Sequence, residues 1–473
     1  MSGRKMTMGV IVANRGVFPG ELAGAGREEI IGVLTGAGID VVVLGLNESK
    51  FGAVENREEA KRCAELFRKS ADRLDGVIVT LPNFGDERAV AETLRLADLR
   101  LPVLVHASPD VVGKLSVQFR RDSFCGKMSV CNNLSQYGIP YSLTRSHTVD
   151  LQSAEFAEEL AWFAAVCRVV KGMRRLRVGA IGARVAPFNT VRYSEKILEN
   201  AGISVETVDL SEILGRVGRL ADNDANVLAK LAEIHAYTAT PVPEKSLVKM
   251  AKLGFVIDEW MRSVDVSVSA VQCWSALQNY FGVASCTIMS MMSNGLKSSA
   301  CEADVCGTLS MHALALASET PSALLDWNNN YGDDPDKAVC FHCSNLPKSF
   351  FEDDHRMHYN VTGARVPGPD NFYGTMVGRV KAGPMSYLRV STQDTTGRVR
   401  GYVGDGAFTA DPLNTFGGVG VVQIARLKEL LHFICERGFE HHVAATRAHV
   451  ASAVHEAATR YLGWDIAWHR VGM

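Results

Sequence analysis

The first third of the chain alternates two apolar patterns. Solid runs of strand length, "TMGVIVANRG", "DVVVLGL", "DGVIVTLPN" and "LPVLVHASP", are separated by stretches with apolar residues three and four apart, "AGREEIIGVLTGAGI", "REEAKRCAELFRKSADRL" and "DERAVAETLRLADL". Short solid runs between amphipathic helices predict parallel strands covered on both faces, and so a doubly wound α/β sheet. A long helical connection, "SAEFAEELAWFAAVCRVVKGMRRL", comes next, and the pattern then restarts near Arg175. "RVGAIGARVAP" reads as strand and turn, "RYSEKILENAGI" as helix, "SVETVDL" as strand, and "DANVLAKLAEIHAYT" and "EKSLVKMAKLGFVIDEWMRSV" as helices.

Beyond about Asn345 the character changes. "NFYGTMVGRV", "GPMSYLRVST", "GRVRGYVGDG" and "GGVGVVQI" are short, glycine-punctuated and rich in Val and Tyr. They predict antiparallel strands of a small barrel or sandwich, closed by a helix-like segment, "HVAATRAHVASAVHEAATRYLG". The expected organisation is an N-terminal α/β module over 1–172, a second over 173–345 and a β-rich domain over 346–473. A chain of 473 residues is too long for one core, which agrees with several modules.

Composition narrows the function by exclusion. Fifty basic against fifty-two acidic side chains leave a net charge of -2, so no charge excess advertises nucleic acid or a membrane surface. No segment approaches the roughly 20 apolar residues of a membrane span. The start, "MSGRKMTMGVIVANRG", is basic, but its apolar run is only "GVIVA" and no cleavage region of signal type follows. A soluble, cytoplasmic protein is expected, with no nucleic-acid or membrane partner. Eleven cysteines, an odd number scattered through a chain of this size, read as small buried hydrophobes and not as a disulfide framework.

Candidate chemistry begins in "CEADVCG", residues 301–307, where two carboxylates interrupt an apolar region. "ADVCGTLSMHALALAS" has a helical apolar period, which puts Glu302 near a helix N-terminus that favours negative charge. Asp304 reads as the cap of that helix. The alternation in "ALLDWNN" predicts a strand over 322–327 with Asp326 at its end, before the polar loop "NNNYGDD". His342 in "AVCFHCSN" and the pair His441 and His442 in "GFEHHVAA" lie near the ends of other elements. Two carboxylates with one or two imidazoles suit Mn²⁺, or Mg²⁺ or Co²⁺, better than a thiolate-bound metal. The rival is a structural zinc on Cys301, Cys306, Cys340 and Cys343. Against it, Cys340 and Cys343 would face opposite sides of one strand. "GAIGAR" has a G-x-x-G spacing after a strand but not the full G-x-G-x-x-G of a dinucleotide site.

"VQCWSALQNYFG", "ACEADVCGTLSMHAL", "LLDWNNN", "FHCSN" and "HHVAA" resemble, in order and type, the superfamily of the L-fucose and L-arabinose isomerases. The resemblance covers nearly the whole chain and is weaker in the N-terminal module, where it rests on "NRG", "PNFGDE" and "NNLSQYGIPY". It implies two doubly wound parallel-sheet modules followed by a β-rich C-terminal domain. It also implies a metal-dependent aldose–ketose isomerase working through an ene-diol on a fucose- or arabinose-like sugar, or on a modified, anionic one. In the fucose isomerases a Glu, an Asp and a late His hold the metal, and these fall on Glu302, Asp326 and His442. The arabinose isomerases add a His that aligns with His342. Glu302 and Asp326 would also serve as acid and base.

By the same resemblance Gln272 would contact sugar hydroxyls. Arg15 and Phe84 would come from the N-terminal module of a neighbouring subunit in a homotrimer or homohexamer. Trp274 and Trp327 read as core or pocket wall. Adjacent residues on a strand point opposite ways, so His441 is expected to face away from the site when His442 faces in. A metal-dependent sugar epimerase and a non-enzymatic sugar-binding protein are the alternative readings.

Overall fold

Each of the four solid runs in the first third is a strand, and all are parallel to their neighbours. The structure, a computed structural model, describes residues 4–365 and 367–470. The first residues of the basic start, 1–3, lie outside the described residues. The chain divides into two compact units after Lys171.

In the first unit β1 (Thr7–Val12), β2 (Asp40–Val42), β3 (Gly76–Leu81), β4 (Val103–Ala107) and β5 (Ser142–Leu143) form a five-stranded sheet in the order β2-β1-β3-β4-β5. The expected doubly wound module is therefore present. The helices Glu21–Gly36, Arg57–Lys69 and Glu87–Ala97 occupy the predicted amphipathic stretches. Ile11, Val79 and Val105 from the sheet pack with Ala64 and Phe67 from a helix. Burying one such ring is worth about 1.5–3 kcal/mol. Local chemistry agrees with the packing, since the Asn56 side chain caps Arg57–Lys69 by accepting from the Glu58 and Glu59 N–H groups.

The second unit begins with another parallel sheet. β6 (Arg177–Ile181), β7 (Ser204–Val208), β8 (Val268–Val271) and β9 (Ser299–Ala300) lie in the order β7-β6-β8-β9. The remaining strands are β10 (Ser322–Asn330), β11 (Lys337–His342), β12 (Arg356–Tyr359), β13 (Tyr373–Arg379), β14 (Gly383–Gln393), β15 (Arg398–Thr409), β16 (Gly418–Gln423), β17 (His442–Thr446) and β18 (Asp465–His469). They form one nine-stranded sheet. Pairing of β15 with β16 closes β16, β11, β10, β17, β14 and β15 into a barrel. Its interior is filled by Leu325, Cys340, Tyr387, Tyr402, Phe408 and Val443, among others.

Two readings of local pattern change here. The strand expected over 322–327 runs on to Asn330, so Asp326 sits mid-strand, and it is an antiparallel strand of the barrel. The polar "NNN" continues the strand because ladder pairing with β11 extends past a bulge at Trp327 and Asn329. Likewise the helix-like closing segment opens as β17, and its helix starts only at Ala451. The alanines of "HVAAT" would accept a helix, but pairing to β10 and β14 on either side makes this a central strand. The reading of the last third also passes over one amphipathic helix, Leu427–Glu436.

The helix Val305–Ser318 is apolar nearly all round, with all of its residues up to Ala317 buried. It packs against β8 and β9 on one side and β10, β14 and β17 on the other, which is why a one-sided stripe is missing. Its approach is close: a Cβ on Gly307 would lie 2.6 Å from Asp304 Oδ2 and 3.0 Å from Leu324 Cδ1. This helix joins the parallel sheet to the barrel and carries the first carboxylates at its start.

Candidate metal centre

After β9 the chain turns sharply into that helix. Glu302 and Ala303 both adopt left-handed backbone, with φ of 60° and 58°, and both are buried. Two consecutive non-glycine residues in this region store strain that the surrounding fold must hold in place. The turn leaves Asp304 as the helix cap, accepting the Gly307 N–H at 2.7 Å, as its sequence position suggests. Glu302 Oε1 accepts from Trp274 Nε1 at 3.1 Å.

Asp326, His442 and His342 come from three neighbouring strands of the barrel, because β10 lies between β11 and β17. Asp326 stands directly opposite His442 in the β10–β17 ladder. His442 Nε2 is 3.0 Å from Glu302 Oε2 and 3.5 Å from Asp326 Oδ1. His342 Nε2 is 3.9 Å from Glu302 Oε2. Among the described residues, the ligand atoms of Glu302, His342 and His442 lie within 4.8 Å of one another, and so do those of Asp326, His441 and His442.

The donor set fits a divalent cation on one observation in particular. Glu302 Oε2 and Asp326 Oδ1 are buried and accept no hydrogen bond, although an imidazole nitrogen is so near both. Buried carboxylate oxygens are normally satisfied, so two that crowd one imidazole nitrogen call for a shared positive charge, a divalent ion or, in its absence, a proton on Nε2. His442 Nδ1 bonds Asp304 Oδ2 at 2.8 Å. With Nδ1 fixed as the donor, Nε2 would offer a lone pair to an ion held by Glu302 and Asp326 once that ion replaces the second proton. Two carboxylates and two imidazoles are the donors of a hard-to-borderline ion.

Charge in the centre follows the same logic. Burial would raise the Glu302 carboxyl, but the His442 and His342 rings and the Trp274 N–H outweigh it and hold the group at about 2. Burial would lower His442, yet Asp304 and Glu302 push it up to about 10. Burial likewise opposes His342, which Cys343, Glu302 and Asp326 carry to about 9. The cluster is anionic enough to demand positive charge, which protons supply when no metal ion does.

His441 does not face away. It precedes β17, outside the alternation of the strand, and its Nε2 lies 3.7 Å from Asp326 Oδ1 with the side chain 42% exposed. Phe188, which no sequence signal singles out, contacts Trp274, His441 and His442 with ring centroids 5.6, 5.6 and 5.8 Å away. Gln272 Oε1 accepts from the Ala183 N–H at 2.9 Å, so what it can offer a sugar hydroxyl is its NH₂ end. Trp327 donates to Tyr402 OH at 2.9 Å and packs with the barrel core. The four thiols of the zinc rival do not converge, since Cys340 belongs to the barrel core and Cys301 to that of the parallel-sheet part.

Arg15 and Phe84 lie in the first unit, just after β1 and β3, where the strand order reverses. Such a switch point forms a crevice at the strand ends. The Arg15 guanidinium lies 4.2 Å from the Phe84 ring centroid, donates to Gly85 O at 2.9 Å and pairs with Glu87.

Residues 9–174 match the family described as "Fucose/sulfoquinovose isomerase, N-terminal domain", and residues 340–469 match "L-fucose isomerase, C-terminal domain". The sulfoquinovose isomerase of Alkalicoccus urumqiensis is 26% identical over 366 residues, which cover 75% of this chain and 78% of that protein. The sulfoquinovose isomerase of Priestia aryabhattai is 23% identical over 376 residues, 79% of this chain and 81% of the relative. Two matched domains in the right order, on a fold of parallel sheets and barrel, identify the chain as a member of the fucose isomerase-like superfamily of sugar isomerases.

Proposed function

We propose that this carbohydrate isomerase is a divalent-metal-dependent ketol isomerase acting on an anionic, modified aldose of the sulfoquinovose class. The observation that carries the metal dependence is the pair of buried, unbonded oxygens, Glu302 Oε2 and Asp326 Oδ1, gathered around His442 Nε2. The anionic substrate rests on the relatives, which are sulfoquinovose isomerases.

Glu302, Asp326, His442 and His342 would hold the ion, with Mn²⁺ the best fit and Mg²⁺ or Co²⁺ as substitutes. When bound, the ion supplies Lewis-acid polarisation of the two sugar oxygens at the reacting carbons. The protons are the business of the chain. A carboxylate removes the C2 proton of the open-chain aldose while its partner gives a proton to O1, and an ene-diol results. Return of a proton to C1 and loss of the O2 proton then leave the carbonyl at C2, so nothing is gained or lost. Glu302 and Asp326 take these two roles, each within reach of the same small volume. Trp274 fixes Glu302, Phe188 walls the centre, and the NH₂ of Gln272 contacts a hydroxyl. Arg15 and Phe84 complete the site from the first unit of a neighbouring copy in a homotrimer or homohexamer.

The test is to strip the protein with a chelator, restore Mn²⁺ and supply sulfoquinovose or neutral hexoses in deuterated water. Ketose carrying solvent deuterium at the reacting carbons is expected, and Glu302→Gln should lower kcat by about 10²–10⁴. Metal-independent sugar binding without deuterium exchange would sink the proposal, and an aldose epimer in place of ketose would make the enzyme an epimerase.

A further inference from the structure

Among the described residues Arg389 is the largest fully buried side chain, and its charge is permanent. Taking such an ion out of water costs several kcal/mol, so its position calls for a specific role. It lies on β14, and its guanidinium fork grips both oxygens of Asp304, Nη1 to Oδ2 at 2.6 Å and Nη2 to Oδ1 at 3.3 Å. Its Nε donates to Glu440 Oε2 at 3.2 Å, and Glu440 also accepts from Ser391 Oγ at 2.5 Å.

Asp304 is thereby saturated. Oδ1 receives Gly307 N–H and Arg389, while Oδ2 receives Arg389 and His442 Nδ1. A carboxylate with four donors on its two oxygens cannot rotate without breaking several bonds. Among the described residues it reaches the metal-binding cluster through its bond to His442 Nδ1 at 2.8 Å. Glu440 fastens the other side of Arg389 and stands two residues before His442, so the start of β17 is held by the same ion network.

We propose that Arg389 is the positioning residue of the centre: through Asp304 it holds His442 in the single tautomer and orientation that turns the Nε2 lone pair toward a divalent cation. This rests on the reading of the cluster as a metal site. Arg389 itself touches neither the ion nor the sugar. A bidentate guanidinium gives the geometric control that a lone ammonium would not. Without it, Asp304 would keep two of its four donors and no counter-charge, and the His442 ring would turn with it.

The probe is Co²⁺ alone, titrated against a competing chelator into the full metal-stripped chain, with the visible absorption of the bound ion recorded alongside thermal unfolding. Wild type should bind one Co²⁺ per chain. Arg389→Met should bind it about 10–100-fold more weakly, the usual effect of losing an outer partner, with an altered Co²⁺ spectrum. That variant leaves a buried charge unpaired, which destabilises the fold, so Arg389→Met with Asp304→Asn removes both charges together. The double variant should recover thermal stability but not Co²⁺ affinity, and Arg389→Lys should fall between wild type and Arg389→Met. A folded double variant or Arg389→Lys with wild-type affinity and spectrum would overturn the inference and make the pair merely structural. Failure of wild type itself to bind Co²⁺ would overturn the metal reading beneath it.

Discussion

His106 in the first unit and His442 in the second are buried to the same degree, 0% and 1% exposed, but their rings are held by different kinds of partner. His106 lies between Thr80 Oγ1 at 2.9 Å and the Val149 carbonyl at 2.7 Å. Neutral groups occupy both nitrogens, the Val149 carbonyl offsets only part of the cost of burying a charge, and the ring is pushed down to about 4. His442 is buried as deeply, yet the carboxylates Asp304 and Glu302 carry it to about 10. Burial by itself therefore says nothing about function. A buried imidazole is a candidate ligand when one nitrogen is fixed by a carboxylate and the other faces carboxylate oxygens that could share an ion with it.

The largest effect that could break this comparison is on metal affinity. His442→Gln should weaken Co²⁺ binding by more than the about 10–100-fold that loss of an outer partner costs, while His106→Gln leaves it at wild type. Equal losses in chelator-competition titrations would erase the distinction.

A pH experiment sharpens it next. The folded His106 is depressed below the ordinary value of 6.5, so the unfolded ring takes up a proton first as the pH falls. Its contribution is full above about 6.5 and fades toward 4, a loss of about 3 kcal/mol. His442 in the metal-free chain has the opposite sign, with stability present below 6.5 and lost as the pH rises toward 10. Urea unfolding at pH 7 and 4.5 should show a smaller acid loss in His106→Gln than in wild type. An unchanged acid loss would show that His106 is not responsible.

The smallest effect concerns Glu302, whose one satisfied oxygen depends on Trp274. Trp274→Phe keeps a ring against Phe188 but removes the donor. A hydrogen bond to a charged group is worth about 1.5–3 kcal/mol, and kcat/KM should fall roughly tenfold or more, mainly through kcat. A change confined to KM would assign Trp274 to sugar binding instead.

Much of the centre was legible in the chain because its signals are local. "CEADVCG" displays Glu302 and a capping Asp304 in a few residues, and "ALLDWNN" displays Asp326 on a strand. Arg389 was not legible: nothing in "GPMSYLRVST" sets it apart from its neighbours. Only the placement of β14 under the Val305–Ser318 helix buries it. His441 was misjudged because the alternation rule applies inside a strand, and it stands one residue before β17 begins.

Sequence by itself determined the alternation of buried strands with amphipathic helices, the change to short glycine-punctuated strands, and the residue types able to hold a hard cation. These follow from periodicity and donor chemistry, which need only near neighbours. The tertiary structure decided which of them meet. Closing the barrel puts β11, β10 and β17 side by side, and the ladder sets Asp326 opposite His442. The capping Asp304 becomes the partner of a ring 138 residues away, a contact made by strand order and packing that no local pattern encodes.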